Sequence, residues 1–246
     1  MPLFIMLGFI LYCLQIEWVI ILTRQDVLEY LYQYTGKTEK DLSKVTTERN
    51  PSLGVSYPKL KDISKLIQKH GSKEFLDSKR IDIYELDIIE TYLIGFIKDI
   101  DDAIFYFKQA AEHAGEWSVV DSLCQKFMIT KKYPKKVLAL MNSYAKKNDQ
   151  YLNRIVAVIV LSHFLIDDMI VDSIRLLSQL KHPEYYTQMA VAWAYATMLV
   201  SYPDPVIEIL VNQRLPIWTH QKTIQKIIES NRIPQHLKDY IRTLRK

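Results

Sequence analysis

The stretch that decides the fold is residues 117–165, WSVVDSLCQKFMITKKYPKKVLALMNSYAKKNDQYLNRIVAVIVLSHFL. Apolar residues recur in it every three to four positions, which is the periodicity of an amphipathic helix and not of a strand. Pro134 stands where a helix would begin, and a polar run precedes the last apolar segment. The stretch therefore predicts three helices joined by short connections, over Trp117–Met128, Pro134–Tyr144 and Leu152–Leu165.

The same pattern continues on both sides of this stretch, and no convincing period-two strand interrupts it. Helical spacing recurs at Val27–Tyr34, Leu60–Ile67, Tyr84–Ile97, Ile104–Ala111, Met169–Leu180, Tyr185–Val200, Pro205–Val211, Thr219–Ile228 and Leu237–Leu244. Short helices on short connections pack as antiparallel neighbours. A spacing of roughly 35 to 40 residues between helix pairs predicts an all-α fold, a HEAT-like α-solenoid of antiparallel helix pairs, with function on its concave face. An irregular helical bundle is the alternative.

The composition argues against several classes of protein. The chain has 246 residues, of which only 6 are Gly, so glycine-rich phosphate loops and nucleotide-binding α/β folds are disfavoured. Its two cysteines, Cys13 and Cys124, have neither metal-ligand spacing nor a partner pattern typical of a disulfide framework, and the six histidines are scattered. We expect no cofactor and no metal. The net charge of +4 is compatible with nucleic acid but does not require it.

The first 22 residues, MPLFIMLGFILYCLQIEWVIIL, differ from the rest of the chain. They lack Lys and Arg and are long enough to span a bilayer, but the charged start and cleavage site of a signal peptide are missing. Three readings compete: a membrane anchor, a packed or disordered extension, and a wrongly assigned translation start. The last is preferred because Thr23, with Asp26 three residues on, is a fresh helix start. We expect residues 1–22 to be an extension and 23–246 to be one domain, monomeric and cytoplasmic.

Four side chains are candidates for chemistry. Trp117 and Asp121 are four residues apart and so share one face of a helix, which makes an electron-rich, anionic patch. Trp193 sits among small residues, where another surface can come close, and Arg154 opens an apolar helix, where it can hold a phosphate. Each has a plain structural alternative, since a Trp usually packs in a core and a single Arg or Asp is usually solvated.

A basic run follows Asp121. Seven lysines and no acid occur between positions 126 and 147, and of these Lys131, Lys132, Lys135 and Lys136 are the best candidates for contacts to a DNA backbone. A solvated helix face is the alternative.

Four short motifs in order resemble the AlkD-type bacterial DNA alkylation repair proteins, which are HEAT-like glycosylases. They are Leu53–Leu60, similar to a Gly-Val-x-x-Pro-x-Leu stretch; Glu116–Cys124, similar to the active-site helix; Asn153–Arg154; and Tyr185–Trp193. The resemblance runs from about Thr23 to the C-terminus. Some members carry an arginine where this chain has Ala196, and residues 1–22 have no counterpart.

The resemblance implies a hydrolase that releases N3- or N7-alkylated purines from double-stranded DNA. Asp121 would be the catalytic carboxylate, Trp117 and Trp193 the aromatic contacts to the lesion nucleotide, and Arg154 a phosphate or sugar contact. On this basis an Asp121→Asn change is expected to abolish base release and leave the fold nearly intact. Two alternatives remain open: a DNA-structure-binding protein without catalysis, and a protein-interaction scaffold.

Overall fold

A computed structural model describes residues 22–35, 50–180 and 182–245. Within these ranges every regular element is helical and there is no β-strand, which confirms the all-α prediction. The helices are α1 Arg24–Leu31, α2 Tyr57–His70, α3 Ser72–Asp77, α4 Tyr84–Phe96, α5 Ile100–His113, α6 Trp117–Lys126, α7 Pro134–Ala145, α8 Gln150–Ile159, α9 Ile170–Gln179, α10 Tyr185–Met198, α11 Pro203–Val211, α12 Ile217–Glu229 and α13 Gln235–Arg242.

The predicted extension lies outside the described residues, except for Leu22, so the three readings of it stay open. The helix start that follows it is confirmed. The Thr23 hydroxyl accepts a hydrogen bond from the Asp26 backbone N–H, and the Asp26 carboxylate accepts one from the Thr23 backbone N–H at 2.9 Å. No helix in the described ranges is both long enough and apolar enough to cross a membrane.

The chain divides into two compact units at Phe96 and Ile97. In the first unit, α2 packs against α4, and the carboxylate of Glu85 on α4 organises the segment before α2. It accepts hydrogen bonds from the backbone N–H groups of Leu53, Gly54 and Val55, at 2.9–3.2 Å. Gly54 has φ +77°, a left-handed conformation that favours glycine.

The first unit also contains buried carboxylates, each paired with an arginine. Arg24 pairs with Glu90 at 2.6 Å, and Arg80 pairs with Asp87 at 2.8 Å. Burial raises the pKa of Asp87 to about 6, and the charge of Arg80 opposes that rise. Buried ion pairs hold their partners in fixed positions because separating them would leave a charge unpaired in the interior.

In the second unit, alternate helices form a row. Helix α6 packs against α8, α8 against α10, and α10 against α12, and these are the most extensive helix contacts of the unit. The intervening helices pack on the row: α7 and α9 lie on α8, α11 lies on α10, and α13 lies on α12. Helix pairs stacked in sequence order confirm the solenoid-like arrangement predicted from the hydrophobic pattern.

The structure differs from the predicted helices in one informative place. The helix predicted over Leu152–Leu165 is α-helical only to Ile159 and continues as a π-helical turn over Val160–Phe164. Hydrophobic periodicity does not reveal such a turn, because the apolar pattern runs through it.

Candidate functional site

Three helices of the row bring the four candidate side chains into one cleft of about 520 Å³. Trp117 and Asp121 come from α6, Arg154 from α8 and Trp193 from α10. The remaining lining residues are Tyr185, Tyr186, Met189 and Lys226.

Helix α6 fixes Asp121 because its other faces are buried. Val120, Leu123 and Cys124 have at most 1% of their surface exposed, so this helix cannot rotate without disrupting the core. Trp117 is its first residue and is half-buried one turn before Asp121, as their spacing predicts. The Cys124 thiol contacts the carbonyl oxygen of Ile155 at 3.7 Å, and burial raises its pKa well above the ordinary value. It therefore stays a thiol and is unsuited to act as a nucleophile.

The central feature of the cleft is a two-point ion pair between Arg154 and Asp121. Nε of Arg154 donates to Oδ1 of Asp121 at 2.9 Å, and Nη2 donates to Oδ2 at 2.8 Å. Nη1 of Arg154 donates to the carbonyl oxygen of Tyr186 at 3.0 Å, which ties α8 to α10. The side chains of Arg154 and Asp121 are 5% and 11% exposed, so the pair is buried and opens only slightly to the cleft.

Two opposing effects act on the Asp121 carboxyl group. Burial raises its pKa above the ordinary value, and the hydrogen bonds and charge of Arg154 lower it. Burial is the larger of the two, so the acid limb of any reaction that needs this carboxylate lies at higher pH than for an exposed Asp. A bidentate guanidinium partner holds the ionised form in one orientation.

Aromatic rings surround this ion pair. The guanidinium carbon of Arg154 lies 5.8 Å from the Trp117 ring centre and 6.0 Å from that of Tyr186. Tyr151 stacks on Tyr186, with ring centres 5.8 Å apart and planes inclined by 25°. Ring faces attract cations, so the cleft is suited to stabilise positive charge.

The aromatic contacts continue toward α12. Tyr186 meets Tyr185 edge to face, and Tyr185 meets Trp218 edge to face at 5.7 Å. Tyr185 is 55% and Trp218 36% exposed. Exposed aromatic rings in a connected series are available to stack against a ligand.

Trp193 is half-buried at the cleft, whereas its neighbours Ala192 and Ala194 on α10 are fully buried. The small residues Ala190 and Ala196, one turn or less away, leave room around the indole. The core side of α10 is formed instead by Val191, Tyr195 and Met198. This side chain therefore lies where a ligand in the cleft would meet it.

The four lysines predicted to contact DNA do not line this cleft. Lys131, Lys132, Lys135 and Lys136 are all exposed, on the segment between α6 and α7 and on the first turn of α7. Lys136 pairs with Asp101 at 2.8 Å, which raises its pKa, and Lys131 lines a different cavity. Besides Arg154, a second cation lines the cleft: Lys226, which sequence reasoning missed.

A signal for Lys226 existed in the sequence. Trp218, Lys222 and Lys226 recur every four residues, so they share one face of α12. In the structure, Nζ of Lys222 lies 5.5 Å from the Trp218 ring centre.

Comparison with known proteins identifies one match. The sequence model of the family described as DNA alkylation repair enzyme matches residues 32–227, most of the chain, which confirms the resemblance seen in the motifs. The curated proteins and the solved structures give no significant match.

Proposed function

Because the chain belongs to the DNA alkylation repair enzyme family, we propose that it is a DNA glycosylase that hydrolyses the N-glycosidic bond of positively charged N3- or N7-alkylated purines. The observation that carries this proposal is the cleft in which the Asp121 carboxylate is held by Arg154 among Trp117, Trp193 and Tyr186. A fixed anion among aromatic faces suits a reaction whose transition state is cationic.

The chemistry begins with the lesion. Alkylation at N3 or N7 places a positive charge on the purine, which weakens the bond between the base nitrogen and C1′ of the sugar. As that bond breaks, its electron pair leaves with the base and the sugar becomes oxocarbenium-like. Water then adds to C1′ and loses a proton, giving free alkylpurine and an abasic site. In this scheme Asp121 stabilises the developing sugar cation and orients the attacking water.

The two tryptophans would supply selectivity for charged lesions. A Trp face attracts a cation by about 0.5–2 kcal/mol and has no comparable attraction for a neutral base. Trp117 already lies within 5.8 Å of the Arg154 guanidinium, which fits a ring placed to meet positive charge. Trp193 extends the same property across the cleft to α10.

Arg154 has two tasks in this scheme. A guanidinium group has five N–H donors, and three of them are used, on Asp121 and on the Tyr186 carbonyl oxygen. The first task is to hold the carboxylate. The two remaining N–H groups are those with which Arg154 would contact a phosphate or sugar oxygen of the lesion nucleotide.

The exposed lysines would contact the backbone of double-stranded DNA. Lys131, Lys132, Lys135 and Lys136 provide a local excess of positive charge, and phosphate contacts of this kind position DNA without reading its sequence. Lys136 would exchange its ion pair with Asp101 for one with a phosphate, at little cost because both groups are exposed.

One observation favours a second candidate function. Both oxygens of Asp121 accept hydrogen bonds from Arg154, and only 11% of the side chain is exposed. A carboxylate neutralised in this way could be purely structural, and the protein would then bind DNA structure without cleaving the base.

Base release separates the two functions. The full chain is incubated with duplex DNA containing N7-methylguanine, and free base is quantified by chromatography against undamaged duplex and against duplex containing a neutral lesion. Release of N7-methylguanine alone is the expected result. Salt-dependent binding of the same duplex with no release would instead support the non-catalytic function.

A further inference from the structure

A second cavity of about 520 Å³ lies further along the same helices as the candidate site. It is lined by the 3₁₀ turn Met128–Lys131 that follows α6, by the π-helical turn after α8 and by the end of α10. On these three segments its lining residues therefore begin four to nine positions along the chain after Asp121, Arg154 and Trp193.

Several residues that line this cavity carry buried polar atoms without hydrogen-bond partners. Eight buried side-chain nitrogen or oxygen atoms in the described ranges have no hydrogen-bond partner, and four of these belong to residues lining it: Thr130 Oγ1, Ser162 Oγ, His163 Nδ1 and Thr197 Oγ1. Thr130 is fully buried and His163 is 7% exposed. Buried polar groups are nearly always satisfied, so a cluster of four needs an explanation.

Two of the four residues, Ser162 and His163, lie in an irregular stretch of backbone. In an α-helix a Ser hydroxyl commonly donates to the carbonyl oxygen one turn earlier, but Ser162 and His163 lie in the π-helical turn Val160–Phe164. Such turns occur frequently at functional sites. Both residues of this turn line the cavity, and each carries one of the unpaired atoms.

His163 supplies an acceptor. Its Nε2 lies 2.8 Å from the carbonyl oxygen of Cys124, so Nε2 carries the proton and Nδ1 presents a lone pair in the neutral ring. Burial lowers the pKa of His163, and the charge of Lys131 lowers it further, against the opposing effect of the Cys124 hydrogen bond. The neutral form is therefore favoured near pH 7.

The remaining lining residues make the cavity electropositive. Lys131 and Arg232 line it, both are exposed, and neither forms an ion pair with another residue of the described ranges. No Asp or Glu is among the lining residues. A cation would be repelled, and an anion would find donors on several sides.

We propose that this cavity binds a phosphate group that carries at least one P–OH. The bare phosphate oxygens would accept hydrogen bonds from the hydroxyls of Thr130, Ser162 and Thr197 and from the two cations. The P–OH would donate to Nδ1 of His163, which no fully deprotonated oxyanion can satisfy. This site is separate from the glycosylase cleft and does not depend on the proposed reaction.

The acceptor Nδ1 of His163 makes the cavity selective among anions. Inorganic phosphate keeps a hydroxyl near neutral pH, whereas sulfate, of similar size and shape, has none. An internal phosphodiester of DNA also lacks a P–OH. We therefore expect inorganic phosphate to bind at least about tenfold more tightly than sulfate or dimethyl phosphate, since an unsatisfied buried acceptor weakens binding by that order.

The test uses calorimetric titration of the full chain with inorganic phosphate, sulfate and dimethyl phosphate near pH 7. Thr130→Val and Thr197→Val are nearly isosteric and remove one hydroxyl each. Both should raise the Kd for inorganic phosphate about tenfold, and neither should lower Tm in phosphate-free buffer, because these hydroxyls have no protein partner.

Two matched controls accompany these variants. Thr223→Val removes a buried hydroxyl that donates to the Thr219 carbonyl oxygen at 2.8 Å, so it should lower Tm and leave phosphate binding unchanged. Arg232→Ala should weaken phosphate binding, whereas Arg245→Ala, also exposed but away from the cavity, should not.

A further arm distinguishes the source of the phosphate group. This arm is run near pH 6, where a phosphate monoester, with its second pKa of about 6, still carries a P–OH about half of the time. Tighter binding of a deoxynucleoside 5′-monophosphate than of inorganic phosphate would then show that the site takes a terminal phosphate, and the reverse order would show that it takes the free ion. Absence of phosphate binding, or equal affinity for sulfate, would overturn the proposal. Base release by Thr130→Val and Thr197→Val is measured in parallel and should match the unsubstituted chain, so failure here is distinguishable from failure of the glycosylase proposal.

Discussion

Replacing either partner of the Asp121–Arg154 pair should cost much more stability than an exposed ion pair does. Asp121→Asn leaves the Arg154 guanidinium, which is 5% exposed, without a countercharge. Arg154→Met leaves the Asp121 carboxylate, which is 11% exposed, without a countercharge as well. Leaving one charge of a buried pair unpartnered costs about 3–5 kcal/mol. Asp121→Asn should fall at the lower end, since the amide oxygen still accepts one hydrogen bond from Arg154.

The double variant, Asp121→Asn with Arg154→Met, shows whether the two charges stabilise the fold as a pair. With both replaced, no buried charge remains, so the cost should be well below the sum of the two single costs. From the two-point geometry and the burial we expect a coupling of about 3 kcal/mol. The exposed pair Glu208–Arg214, about 58% exposed on each side, is the control. Its coupling should stay below about 1 kcal/mol.

Urea unfolding followed by tryptophan fluorescence is the appropriate assay. Three of the four tryptophans, Trp117, Trp193 and Trp218, lie in the second unit, as does the ion pair. Shifts of the midpoint at constant slope give the free energies of unfolding. Additive costs of the two replacements, within about 0.5 kcal/mol, would show that Arg154 does not hold the carboxylate and would refute the reasoning.

Three further predictions follow from other parts of the molecule. Trp193→Ala should lower base release and cost less stability than the about 3–5 kcal/mol of a fully buried Trp, because the indole is half-buried at the cleft; activity and a urea melt of the same sample test this. Lys131→Glu with Lys135→Glu should weaken binding of all duplex sequences alike and reduce the salt dependence by about two charges, and an unchanged slope in salt titrations would place the DNA elsewhere. Asp87 has a pKa of about 6 in the folded chain against an ordinary value of 3.8, so the folded state binds the extra proton and stability should fall as pH rises through this window, by about 3 kcal/mol in total. Asp87→Asn should remove this dependence of the unfolding free energy on pH, as measured by urea melts followed by circular dichroism. An unaltered pH dependence would assign it to other groups.

Local spacing was enough to predict part of the site. The four-residue interval between Trp117 and Asp121 places both on one helix face, and the structure brings both to one cleft. The small residues around Trp193 likewise predicted space beside its ring. Such features depend only on the geometry of one helix, which the sequence determines directly.

Contacts between helices could not be predicted in the same way. Arg154 lies 33 residues from Asp121, and their pairing depends on how far α8 slides along α6, which hydrophobic periodicity leaves undetermined. The expectation that Asp121→Asn would leave the fold nearly intact therefore omitted the charge of Arg154. Charge along the sequence likewise indicated the exposed Lys131–Lys136 segment, whose contact with DNA stays a prediction, but it did not indicate Lys226, which reaches the cleft from α12.

The central claim is that the Asp121 carboxylate is catalytic, and single-turnover release of N7-methylguanine from duplex DNA tests it most directly. The rate is compared between the full chain and Asp121→Asn, at saturating protein and at a temperature where circular dichroism shows both to be folded. We expect a loss of about 100-fold or more with DNA affinity nearly unchanged, because the amide keeps the shape of the side chain and removes its charge. Equal rates for the two proteins would contradict the account.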